Sequence, residues 1–429
     1  MKLMRFVVLA SASLLSSSTL GADVLVIAAD SSGDFTSLQA AVDAALNGDT
    51  LLVKSGTYVG PTIIGKQLNV VADANAEVVI EGSLEVHGLL GDSHVLLAGL
   101  HVVGAPDVAT TDRYALRVSD SLGSIRVQEC ELTGAHPSSV TVPLDTVSVA
   151  NCPNVSFVRT VCTAVAGGGG SGVEAVSSSI AILDSSVNGG SAQGFELVNP
   201  QHGKPGGDGF DGASSFLFTS GSSYFGGAGS HSSSGGQCNC GGLGGSGISL
   251  GDFGWPSGPT NVTSTAAEIA TATQGAPGGS DPGGACGLCI NCDNCSGPFG
   301  QPYYGESAVT HLGGAARMLS ARNVAREQTV LPLRFRGMPG DKVALCVGKA
   351  GDFRHTPGQR GVELVEASAK RIRVGKIAAD GMLTYFYAMP ALANGEESRT
   401  LFFQALHEST SGQFTLGSPL NVVVLDAAL

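Results

Sequence analysis

The stretch Val95–Gly104, VLLAGLHVVG, sets a phrase that the chain repeats. Its apolar positions are Val95, Leu97, Leu100 and Val102, closed by Gly104. The phrase returns as IRVQECELTG (Ile125, Val127, Cys130, Leu132, Gly134), as VSFVRTVCTA (Val155, Phe157, Thr160, Cys162, Ala164) and as IAILDSSVNG (Ile180, Ile182, Ser185, Val187, Gly189). Looser copies start at Leu51 (Val53, Gly56, Tyr58, Gly60) and at Phe216 (Phe218, Gly221, Ser223). Inside each copy the apolar residues alternate with period two, the signature of a strand with one buried face. The two-residue gap shifts the phase, which predicts a corner between two short strands.

Starts at 95, 125, 155, 180 and 216 are separated by 30, 30, 25 and 36 residues. A recurring two-strand unit at that spacing predicts a solenoid whose coils lie one on another. One coil buries too few side chains to offset the entropy of ordering its backbone, so neighbouring coils must share an apolar column. The expected architecture is all-β: a right-handed parallel β-helix, the hand following the rule for parallel crossovers. A β-sandwich of similar strands is the alternative.

The ends of the chain fit this plan. Lys2, Arg5, the apolar FVVLASASLL and small residues to Ala22 predict a signal peptide over 1–22, hence an exported or cell-surface protein. No later stretch is long and apolar enough to span a membrane. SLQAAVDAAL then predicts a helix with Leu38, Ala41, Val42 and Ala45 on one face, Asp34 as N-cap and Asn47-Gly48 as its end. Such a helix caps the open end of the apolar column, so the β-helix is expected over 23–316.

The run VIAADSSGDFTSLQAAVDAALNGDTLLVKSGTYVGPTIIGKQLNVVAD, residues 26–73, resembles the opening of pectin methylesterases and of the wider pectin-lyase-like β-helix group. A weaker likeness continues in YALRVSDSLGSIRVQECELTG, residues 114–134. The resemblance implies the β-helix fold. It does not carry the esterase chemistry, which needs one carboxylate as nucleophile, another as acid/base and an Arg. The family pattern asks for Gln where this chain has Asp112, and for Gln-Asp where it has Ala135, His136 and Pro137. The lone tryptophan, Trp255, lies in GWP rather than in Arg-x-Trp.

Other chemistry could use the non-apolar positions of the copies. Arg117, Arg126, Glu129, Glu131 and Asp184 are the candidate catalytic residues, with Asp145 and Arg159 in the same class of position. His87, His94 and His101 recur every seven residues and would serve as metal ligands only if the coil brought two together.

From Gly167 glycine-rich stretches interrupt the copies, and over 199–314 they dominate, which predicts long loops. Within them GGDGFDG, residues 206–212, follows part of a calcium-binding nonapeptide, with Asp211 as the candidate calcium ligand. Cys238, Cys240, Cys286, Cys289, Cys292 and Cys295 are the disulfide candidates of an exported chain. Cys130 and Cys162 fall on inward positions as small apolar groups, with Cys152 a possible bridging partner.

From Asn323 the composition changes. TVLPLRFRG, KVALCVG, RIRVGKI, MLTYFYAMP, TLFFQALHE and PLNVVVLD are alternating strands separated by turns, predicting a small antiparallel β-sandwich over 323–429. With its GKI strand, Asp380-Gly381, Gln404 and Asn421, this part resembles a C-terminal module of secreted, planctomycete-type bacterial proteins, which implies export and surface attachment. Gln404 itself reads as a strand residue whose amide bonds to a neighbouring loop.

Lys+Arg against Asp+Glu is 7 to 26 over 23–316 and 14 to 10 over 317–429. Opposite signs predict two units that attract each other. A net charge of −13 argues against nucleic acid as a partner. Two functions remain: a non-catalytic scaffold for a polysaccharide or cell-surface component, or a polysaccharide lyase or hydrolase working on an outer groove of the coils.

Overall fold

A computed structural model describes residues 22–105, 114–135, 145–193, 204–230, 244–250, 261–264, 303–304, 309–312 and 314–429. The proposed signal peptide up to Gly21 and the six Cys from Cys238 to Cys295 lie outside the described residues, as do Asp112, His136, Pro137 and Trp255.

The repeated phrase does wind into a parallel β-helix. Each full coil, however, has three strands rather than two. Leu84–His87, His94–Ala98 and His101–Val103 form one coil, and Leu116–Ser119, Ser124–Gln128 and Glu131–Thr133 the next. Stacking gives three sheets, here C, A and B in the order the chain visits them. Sheet A has 10 strands, sheet B 7 and sheet C 8. Successive coils pair in parallel throughout, for example Ile125 with Val155 in sheet A and Leu132 with Cys162 in sheet B. The phrase quoted first covers sheets A and B. The strand that completes each coil lies before it.

The inward columns explain the phrase position by position. Val95, Ile125, Val155 and Ile180 stack in sheet A, and Val102, Leu132, Cys162 and Val187 in sheet B, all within one core. The "small" position is the inside of the A-to-B corner, occupied by Leu100, Cys130, Thr160, Ser185 and Ser222. There the Thr160 hydroxyl donates to the Val127 and Val158 carbonyls at 3.2 Å, and Ser185 Oγ accepts from Thr160 N at 3.0 Å. A hydroxyl or thiol at this corner satisfies backbone groups that the turn frees from the sheet.

Just before it, at the same corner, sit Gly99, Glu129, Arg159, Asp184 and Gly221, all with φ between 50° and 71°. A second left-handed column, Gly65, Gly88, Asp120, Asn151, Ser177 and Ser214, turns the chain from sheet C to sheet A. Through the coil that ends at Phe225 both corners are therefore tight, and the long connections fall between sheets B and C.

Glycine has a definite task at that third corner. Gly190 N donates to Gly170 O, Gly207 N to Gly190 O, Gly227 N to Gly207 O and Gly245 N to Gly227 O, at 2.9, 2.9, 2.7 and 2.8 Å. The seam alternates between chain leaving sheet B and chain entering sheet C, so it ties the base of each connection. A Cβ on Gly207 would lie 1.9 Å from Gly170 O. Within 199–314, expected above as loops, the described residues also include coil strands such as Phe210–Ala213 and Phe216–Ser220.

The copy at Phe216 is out of phase by one residue. Ile180 pairs with Leu217 and Ile182 with Thr219, so Leu217 faces the core and Phe216 and Phe218 face outward. A slip of one residue exchanges the two faces of a strand. The periodicity misleads here because the outer face of sheet A is also apolar, being covered by the C-terminal module.

The capping helix is Leu38–Ala44, and Leu38, Ala41, Val42 and Ala45 join the core as expected. Its N-cap is Ser37, not Asp34, whose carboxylate instead accepts from Val26 N at 2.9 Å. Lys66 Nζ donates to the carbonyls of Val42, Asp43 and Ala45 at 2.7–2.9 Å, neutralising the exposed end of the helix. Residues of the opening run 26–73 thus serve the fold.

The C-terminal module is a sandwich of a 3-stranded sheet and a 6-stranded sheet with its own core of Leu333, Phe335, Leu345, Phe403, Leu420 and neighbours. Its pairings are antiparallel except where Val324–Arg326 and Gln359–Arg360 join Phe414–Leu425. Gln404 behaves as read: Nε2 donates to Val362 O and Gly417 O, and Oε1 accepts from Leu364 N at 2.8 Å. The module lies on sheet A. Val423 and Leu425 pack with Leu52, Val71, Leu96 and Ala98, while Val362 and Leu364 pack with Val158, Ala181, Leu183 and Phe218. None of the ion pairs among the described residues joins the two units, so apolar burial and hydrogen bonds hold them despite the opposite charges.

Candidate functional site

The five candidate catalytic residues are not gathered in one groove. Arg126 points out of sheet A into the seam with the module, fully buried. Its Nε donates to Ser156 Oγ at 3.0 Å, Nη1 to Asn421 Oδ1 at 2.8 Å and Nη2 to Leu364 O at 3.1 Å. Burial, with Arg159 nearby, pulls its pKa down to about 9. Glu129 and Asp184 occupy the left-handed corner at the rim of the same seam. Arg159 Nε donates to Glu129 Oε1 at 2.9 Å, and Arg159 Nη1 to Leu319 O of the module at 2.8 Å. Burial raises Asp184 to about 6. Glu131 is exposed on sheet B, and Arg117 stands on sheet C.

The three histidines are also kept apart. His87 is on sheet C with Glu85 and Ser119, His94 meets Phe402 of the module edge-on, and His101 is on sheet B. Cys130, Cys152 and Cys162 are buried free thiols, so none bridges to another. Burial pushes Cys130 up to about 12 and Cys152 to about 11.

With sheet A covered, the face richest in chemistry is sheet C. Its register places Glu85 beside Arg117, Arg117 beside Ser148, Ser148 beside Glu174, Glu174 beside Asp211 and Asp211 beside Ser249. Adjacent strands are about 4.8 Å apart, so these residues form one outward row running across the coils. Their chain neighbours, such as Val173, Ala175 and Phe210, point into the core. A second row precedes the strands by two residues: Tyr114, Asp145, Ser171, Asp208 and Ser246. Asp145 accepts from Ser171 N at 2.6 Å, and Asp208 from Ser246 N. The two rows meet around Glu174 and Asp211.

The electrostatics follow from that crowding. Burial raises Glu174 to about 7, helped by Asp145 and Asp211 and opposed by its hydrogen bond from Ser148. Asp211 also rises to about 7, through burial, then Asp208 and Asp145. Asp208 rises to about 6 by burial, and Asp145 is shifted upward by burial as well. Of the residues in both rows only Arg117 is cationic. Several carboxyls therefore stand close together with too little positive charge for all to ionise at neutral pH. One can hold a proton while its neighbour does not, the arrangement that general acid/base chemistry requires.

Asp211, the candidate calcium ligand, is in this row, but among the described residues no three His, Cys, Asp or Glu side chains are placed to hold a metal ion. Glu174 and Asp208 escaped the sequence reading because the repeated phrase omits sheet C. Aligning GVEAV with ALRVS and GFDGA puts Glu174, Arg117 and Asp211 in one column, with Asp208 just ahead of it.

No protein-family model matches the chain, and no curated protein matches it. Six chains of solved structures do. Pectate lyase Pel9A aligns over 64% of this chain and 84% of its own, at 15% identity and a TM-score of 0.30. A superoxide reductase (neelaredoxin) from Ignicoccus hospitalis aligns over 25% of this chain and 80% of its own, at 10% identity and a TM-score of 0.16. Scores of this size leave the function to the chain's own residues. Among those described, no helix is long and apolar enough to cross a membrane.

Proposed function

We propose that the protein is an exported, carbohydrate-directed β-helix that holds a saccharide chain along sheet C. The observation that supports this reading is the row Glu85, Arg117, Ser148, Glu174 and Asp211, a regular file of partly exposed donors and acceptors on a rigid sheet, closed at one end by the buried Ser249. A polymer of hydroxyl-bearing rings can meet such a file repeatedly, and a stack of coils supplies a fixed surface with little ordering cost. The row is too acidic to favour a polyanion, so the expected ligand is a neutral saccharide.

A second reading has its own support. Glu174 and Asp211 sit side by side, both raised to about 7, and a carboxylate pair sharing a proton suits hydrolysis of a glycosidic bond, one group acting as acid and the other as base or nucleophile. The experiment is a panel of neutral and acidic polysaccharides tested for binding and for new reducing ends, with the full chain and with Glu174→Gln and Asp211→Asn. Binding lost in Arg117→Ala, without turnover, supports the scaffold. Turnover abolished in Glu174→Gln while binding persists supports hydrolysis. Absence of both binding and turnover across the panel refutes a saccharide role for sheet C.

A further inference from the structure

The other end of the molecule carries the opposite chemistry. Lys370–Lys376, KRIRVGK, is the outer strand of the 6-stranded sheet of the module, paired on one side only, with Lys342–Gly348. Ile372 and Val374 turn toward the module core, which leaves Arg371 and Arg373 on the opposite face. Pairing puts Lys376 beside Lys342 and Arg373 beside Ala344. Together they wall a cleft of about 750 Å³ whose floor is Ala344, Leu406 and Phe414. Four cations, Lys342, Arg371, Arg373 and Lys376, face this space. The one carboxylate among its walls, Glu408, is already bonded to Lys342 Nζ at 2.9 Å.

Charged residues on an outer strand discourage strand-to-strand aggregation. That role does not call for an open cleft, nor for the further cation Lys342 on the next strand. The cleft has an apolar floor, a partly exposed aromatic ring and guanidinium groups at alternate positions of one strand. The geometry points to a binding site for an anionic polysaccharide, carboxylated or sulfated, whose ring faces rest on Leu406 and Phe414 while its acid groups meet Arg371, Arg373 and Lys376. A guanidinium offers a planar fork that fits a carboxylate or sulfate, and a sugar ring offers apolar C–H groups to an aromatic face. A polynucleotide fits less well. Its bases stack on successive aromatic rings, whereas the floor of the cleft offers one, Phe414; the 7 basic against 26 acidic residues over 23–316 confine any polyanion, saccharide included, to the cleft itself. This site does not depend on the reading of sheet C. It gives the chain one face for neutral saccharide and another for acidic saccharide.

The test uses the full chain in affinity electrophoresis and calorimetry with alginate and dextran sulfate, neutral dextran being the uncharged control. Alginate or dextran sulfate should bind, any binding of dextran should be indifferent to substitutions in the cleft, and affinity for the acidic polymers should fall steeply from 20 mM to about 300 mM salt as exposed charges are screened. Arg371→Ala with Arg373→Ala should weaken binding about tenfold or more, since two charge-assisted contacts are lost. Arg371→Lys with Arg373→Lys should recover part of it. Glu174→Gln should bind like the parent, which separates this site from sheet C. Should the double alanine variant misfold, Lys376→Glu, on the exposed outer strand, is the replacement and must weaken binding as well. The proposal is overturned by failure of both acidic polymers to bind. It is equally overturned by binding that ignores these substitutions, or by single-stranded DNA competing as well as the polysaccharides at equal charge.

Discussion

Replacing Glu174 by Gln should stabilise the protein at alkaline pH and leave it unchanged in acid. In the folded chain the carboxyl has been raised from its ordinary 4.5 to about 7 by burial and by Asp145 and Asp211. Between those two pH values the folded state holds a proton that the unfolded state has released. Stability therefore falls as pH rises from about 4.5 to 7, and the loss persists above 7. At about 1.4 kcal/mol per pH unit the ceiling is about 3 kcal/mol. Glu174 keeps some contact with solvent and titrates under the influence of Asp211, so about 1–2 kcal/mol is the expected gain at pH 8. Gln retains the shape and can still accept from Ser148. The assay is urea denaturation of parent and variant from pH 4.5 to 8.5. His94 and His407, depressed by burial to about 4 and about 3, destabilise the fold in acid but cancel in the difference between the two proteins. A difference that stays flat across this range, or a variant weaker than the parent at pH 8, refutes the crowded-carboxylate account of sheet C.

Three further outcomes follow from other parts of the fold. Arg126→Ala should cost about 3–5 kcal/mol, seen as a lower thermal midpoint, because Asn421 Oδ1 and Leu364 O lose a buried donor and a cavity opens; Arg126→Met should recover most of the loss, since it fills the space without a charge to desolvate. Gly207→Ala should destabilise by more than about 2 kcal/mol, with proteolysis rising in the region near 204–250, because its Cβ meets Gly170 O at 1.9 Å; Gly88→Ala, whose Cβ meets nothing, bears only the backbone penalty of a left-handed residue. His407→Leu should gain about 2 kcal/mol over the parent at pH 5 and lose that advantage above 6.5. His407 is buried, and Arg317 takes the nearby Asp341 carboxylate at 2.6 Å, so protonation of the unfolded chain below 6.5 draws the parent toward unfolding; parallel melts at the two pH values check the sign.

The solenoid was legible because its inward columns must be apolar in every coil, so the period survives changes in connection length. What the periodicity could not show is which outer face is wet. Sheet A is apolar on both sides at Leu52, Val71, Ala98, Val158 and Phe218, since its exterior packs on the module. Phe216 and Leu217 therefore look alike in a pattern built on hydrophobicity alone, and the register at that copy slipped. The charges at Arg126, Glu129 and Asp184 were visible, but nothing local marks a polar side chain as facing a protein surface 200 or more residues away in sequence. The helix face was read from spacing, whereas its cap turned on whether Asp34 or Ser37 reaches a free N–H, a choice made by the tertiary bond from Val26 to Asp34.

Covering sheet A also decides where ligands can go. Gln128 accepts from Asn421 N at 2.8 Å and donates back to Asn421 O at 2.9 Å, pairing the coil's outer surface with a strand of the module as if it were one more strand. Thr50 and Asn69 bond the side chains of Ser398 and Thr400, each at 2.9 Å. Separation would exchange these bonds for bonds to water at little net gain, while the apolar clusters at either end would meet water at the same moment, which holds the units together. The docked state is thus the stable state, and the outer face of sheet A is closed to a ligand. Through the coil that ends at Phe225 the long connections arise at the B-to-C corner, on the flank of the acidic row, whereas the C-to-A corner is tight. Sheet C is consequently the face where insertions can add specificity without disturbing the core, and substitutions in its outward row should alter binding or turnover while sparing the coil.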